Sequence, residues 1–101
     1  MKQLPRQVKV CGVWYTISIS RNPPKTPGSP DGASGTVDFN KSSIKIWGAK
    51  DNQQKWKTLW HEVYHAFWWE ARGMSHEYND EHDEYMASSF ATMMMGLEYK
   101  Y

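Results

Sequence analysis

His61-Glu62-Val63-Tyr64-His65 is the stretch whose residue types and spacing can do chemistry. It reads H-E-x-x-H. Two histidines four positions apart sit one turn apart on the same face of a helix, so both imidazoles can reach one metal ion. Glu62 points about 100° round from His61. There it stays beside the metal without ligating it, where a general base can take a proton from an activated water. A catalytic zinc site keeps one position open and takes three protein ligands, so a third is needed. The metzincin continuation does not supply it: Trp68 stands where that pattern has Gly, and residue 71 is Ala.

The third ligand must come from the following segment, where His76, Glu77, Asp80, Glu81, His82, Asp83 and Glu84 are the candidates. A ligand from a second helix packed on the first needs small residues one and two turns further on. Glu84 meets this best, because Ala87, Ser88 and Ala91 continue its face. Glu81 lies one turn earlier on much the same face, and His82 is the nitrogen alternative. The remaining acids read as a solvated helix start. A donor to stabilise a transition state near the open position is sought at His76, Tyr78 or Tyr64.

These residues depend on the elements that carry them. Asp51 with Gln54 resembles a capping box, and no Pro or Gly follows until Gly73, so a helix is predicted over 52–72. Trp56, Trp60, Val63 and Phe67 form one apolar stripe on it, and other apolar residues cover most of the rest, as in a helix buried on several sides. Gly73 is the predicted C′ residue. A second helix is predicted from about residue 79 to Met95, opening on acids that suit its positive end. Upstream, 7–19 reads as two strands about a turn at Cys11-Gly12. Residues 20–35 hold four of the five prolines and form a long surface loop. Two more short strands are predicted over 36–40 and 43–48.

The chain has 101 residues, one domain's worth, with 40% hydrophobic and 15% aromatic content. A formal charge of +1 lacks the basic excess of a non-specific nucleic-acid binder. The single Cys11 excludes an internal disulfide. No apolar run suits a signal peptide or a membrane span, so the expected compartment is the cytoplasm. The Trp residues read as core or cleft wall, and Met93–Met95 as adaptable packing. Lys41, Lys45, Lys50, Lys55 and Lys57 form a positive region, read as a solvated face or an attraction for an acidic partner.

Thr58-Leu59-Trp60-His61-Glu62-Val63-Tyr64-His65-Ala66 resembles the active-site helix of small phage and bacterial zincins of the ImmA/IrrE type. Glu84-Tyr85-Met86-Ala87-Ser88-Ser89-Phe90-Ala91 is similar to their second helix, and the resemblance makes Glu84 the third ligand. SprT-like proteases share a His-Glu-x-x-His-Ala helix but take a third histidine, a role for His82 or His76. The resemblance implies a single α+β domain over 1–101 with a minimal zincin fold. In it a small, mainly antiparallel sheet of three or four strands packs on the H-E-x-x-H helix, and Ser43–Trp47 is the edge strand along the substrate cleft. It also implies a zinc metallopeptidase: Zn2+ on His61, His65 and Glu84, Glu62 as general base, a peptide or protein as substrate, and no nucleic-acid or membrane partner. The reading from another class is a zinc-stabilised binding protein that engages a host or regulatory protein and cuts nothing.

Overall fold

The computed structural model describes residues 3–26, 29, 31–72 and 80–97, without the side chains of 72 and 80–82. The elements run β1 (Gln7–Val10), β2 (Val13–Ser20), β3 (Gly35–Asp38), β4 (Ser43–Trp47), α1 (Asn52–Arg72) and α2 (Asp80–Met95). The class is α+β. Cys11 and Gly12 both take positive φ, 49° and 85°, as a tight turn between twisted strands requires. That turn sets the β1–β2 register, with Val10 opposite Val13.

The sheet order is β1-β2-β4-β3. β1–β2 and β3–β4 are antiparallel, but the central pair β2–β4 is parallel. The sheet is therefore mixed, where a mainly antiparallel one was expected. Two hairpins lie side by side, and the long 21–34 segment lets the chain enter the second one from its outer edge. A second correction follows. Ser43–Trp47 is an inner strand, and β3 is the edge. Ile44 and Ile46 are fully buried. They need neighbours on both sides, which Ile17, Ile19 and Val37 supply by register. The second hairpin turns through Phe39–Ser42, where Asp38 Oδ1 accepts the amides of Asn40 and Lys41 at 3.0 and 3.2 Å.

One face of the sheet packs on α1. Tyr15, Ile17, Ile44 and Ile46 meet Leu59, Val63 and Ala66. The cap at the start of α1 is in place: the Gln54 amide donates to Asp51 Oδ1 at 2.8 Å. The expected stripe through Phe67 shifts, and Phe67 is half exposed. The sheet takes the Leu59–Val63–Ala66 face, while Trp60 and Tyr64 turn toward Phe90 of α2, at 6.4 and 5.6 Å between rings. Phe67 falls outside both. Asp83, Ala87 and Ala91 are the buried stripe of α2, and the two small side chains let the helices approach closely. No helix among the described residues is long and apolar enough to cross a membrane.

Candidate metal centre

α1 presents His61 and His65 one turn apart, and α2 brings Glu84 across to them. Glu84 Oε2 lies 2.9 Å from His61 Nε2, and Glu84 Oε1 lies 2.9 Å from His65 Nε2. The two Nε2 atoms are 3.3 Å apart. Two corners of a tetrahedron with metal–nitrogen bonds of about 2.05 Å are themselves about 3.3 Å apart. The donor set thus has the chemistry and the spacing of three ligands to one divalent ion. Among the described residues it is the one group of His, Cys, Asp or Glu side chains able to hold such an ion. Of the sequence alternatives, His76 and Glu77 and the side chains of Asp80, Glu81 and His82 lie outside the described residues.

Burial pulls the His65 imidazole below its ordinary pKa; Glu84 and Asp83 oppose that and His61 adds to it. A neutral ring is the form that offers a lone pair to a metal. The His65 contact to Glu84 is therefore better described as a hydrogen bond from a neutral imidazole than as an ion pair. Glu62 is 7% exposed and lines the same groove. Burial, and then the charge of Glu84, push its carboxyl up to about 8. In the metal-free chain a carboxyl held this way takes up and gives back a proton near neutrality.

The three donors stand in an open groove of about 1200 Å3. Its walls come from β3, from Gln54, Lys57 and Thr58 of α1, from Ser88 of α2, and from Thr26 and Ser29 of the Pro-rich segment. That segment is shaped by backbone bonds between Thr26 and Ser29 and from the Ala33 amide to Pro24 O at 2.7 Å.

Two polar residues near the donors differ in role from their sequence reading as a small spacer and as one of the candidate acids. Ser88 Oγ lies 3.4 Å from His61 Nδ1, where it can accept from that ring nitrogen and orient the imidazole. Asp83 was read as part of a solvated helix start, yet it is 4% exposed and its charge acts on His65. The missed signal was Asp83-Ala87-Ala91, a stripe of period four that begins on the acid. Of the candidate transition-state donors, Tyr64 packs on Phe90, while His76 and Tyr78 lie outside the described residues. Compared with models of protein families, with curated proteins and with solved structures, the chain matches none.

Proposed function

We propose that this chain is a zinc-dependent metallopeptidase that hydrolyses peptide bonds. The observation that carries the reading is the pairing of a three-donor cluster with a buried carboxyl, Glu62, in one open groove. A purely structural ion has no use for that carboxyl, whose burial is unfavourable whenever it is ionised. His61, His65 and Glu84 would hold the ion. Zinc on two nitrogens and a carboxylate supplies Lewis acidity and draws the pKa of water at its open position toward about 7.

The chain's own residues do the rest. Glu62 accepts a proton as the water oxygen bonds to the peptide carbonyl carbon. It then delivers that proton to the amide nitrogen as the carbon–nitrogen bond breaks. Ser88 keeps the His61 ring oriented. β3, as the edge strand beside the groove, offers its backbone to an extended substrate.

The test is Glu62→Gln, read by metal analysis and by mass spectrometry of a peptide library incubated with the protein. The expected result is zinc retained at one ion per chain, with cleavage seen in the parent lost in the variant. Cleavage that persists in the variant removes Glu62 from its role. A parent that binds zinc and cleaves nothing in the library makes the chain a zinc-stabilised binding protein instead.

A further inference from the structure

β3 tracks the active face of α1. Gly35 lies against Thr58 at one end, and Phe39, just past the strand, stacks on Trp69 at the other, with ring centroids 4.5 Å apart. Residues 58 and 69 are about 16 Å apart along a helix axis, and His61 and His65 fall between them. A segment laid along β3 therefore passes the metal-binding cluster and continues toward Trp69. Among the described residues no strand pairs with the outer edge of β3.

Along β3 the groove adjoins a second hollow of about 510 Å3, which reaches Trp69, since Thr26, Thr36, Val37 and Phe39 line both. Lys25, Lys41 and Lys45 stand around this hollow, all exposed. Asp38 is the one acid among its described lining residues, and one of its oxygens is taken by the Asn40 and Lys41 amides. A chain with a formal charge of only +1 does not gather lysines there through a general basic excess.

We infer that the groove takes an extended acidic peptide, with substrate carboxylates on Lys25, Lys41 and Lys45. Cleavage of that peptide rests on the peptidase reading; the acidic preference does not. A peptide is the favoured polyanion because its main chain matches the donors and acceptors of a strand edge, which a nucleic acid does not.

The experiment uses the zinc-loaded full chain and labelled peptides of one length and one neutral core, ending in a run of Asp, Ser or Lys. Binding is read by fluorescence anisotropy and cleavage by mass spectrometry. The Asp peptide is expected to bind roughly tenfold more tightly than the Ser peptide at low salt, an advantage that shrinks as salt rises. Combined Lys25→Ala, Lys41→Ala and Lys45→Ala removes that advantage at unchanged melting temperature. Lys41→Glu with Lys45→Glu transfers the preference to the Lys peptide. An Asp advantage that is absent, or that survives the triple change, overturns the inference. So does an oligothymidylate that binds as tightly through the same lysines. An Asp advantage without cleavage of any peptide supports the acidic site and counts against the peptidase. Cleavage without charge preference does the reverse.

Discussion

Gly35 approaches Thr58 so closely that a β-carbon on the glycine would sit 2.6 Å from Thr58 Cγ2. The same β-carbon would meet Lys45 O at 3.1 Å. Contact this tight is open only to glycine, and it seats the edge strand on the helix one turn before His61 and Glu62. Gly35→Ala must therefore move β3, α1 or the Thr58 side chain. Overpacking of this kind costs about 1–3 kcal/mol. Denaturant melts should show a loss in that range, and peptide cleavage should fall with it; an unchanged midpoint would show that the strand is free to shift.

Tyr15 ties the far end of α1 to the sheet. Its fully buried ring donates from Oη to Glu70 Oε1 at 2.6 Å. Burial first, and then Glu70, raise the phenol well above its ordinary pKa near 10. The folded chain thus holds this proton more tightly than the unfolded chain. The associated stability is present below about pH 10 and is lost as pH rises beyond it. Tyr15→Phe should cost about 1–2 kcal/mol at pH 7. It should also flatten the alkaline fall in stability. Absorbance titration should show one tyrosine ionising only as the parent unfolds, and no such tyrosine in the variant.

Much of the site was legible in the sequence because helical periodicity is local. Asp51 and Gln54 marked the start of α1, and the i, i+4 spacing of His61 and His65 fixed their common face. Glu84 was reachable because Ala87, Ser88 and Ala91 continue its side of a second helix. The parallel β2–β4 pair was not legible, since strand order depends on how the 21–34 segment routes the chain. The same ambiguity put the inner strand, rather than β3, on the cleft. Phe67 was misread for another reason: α1 is apolar nearly all round, and only the packing of two partners decides which stripe is covered.

Metal binding should stabilise this small fold, because the unfolded chain holds no assembled site. At zinc a hundredfold above Kd the gain is about 2.7 kcal/mol. Calorimetry should show the melting temperature of the chelator-treated parent rising on zinc addition. His61→Ala, His65→Ala and Glu84→Ala should each abolish that rise, while Glu81→Ala and His82→Ala should retain it. A response lost in His82→Ala and kept in Glu84→Ala would move the third ligand to the histidine.

Glu62 should be a residue that function needs and the metal-free fold does not. Its carboxyl rises from an ordinary 4.5 to about 8, with burial the larger cause and Glu84 the second. Between those values the folded chain binds more protons than the unfolded chain. The Glu62 contribution to the stability of the metal-free parent therefore falls as pH rises from about 4.5 to 8. Glu62→Gln keeps the shape and removes the ionisation. In the presence of chelator it should raise stability at pH 8 by on the order of a few kcal/mol and flatten that stretch of the pH profile. With zinc loaded the gain should shrink, because a dication beside the carboxylate offsets the cost of burying its charge. Melts of parent and variant at acid and alkaline pH, with and without zinc, separate these terms. A variant no more stable than the parent at pH 8 without metal would mean that Glu62 is not held against its own ionisation.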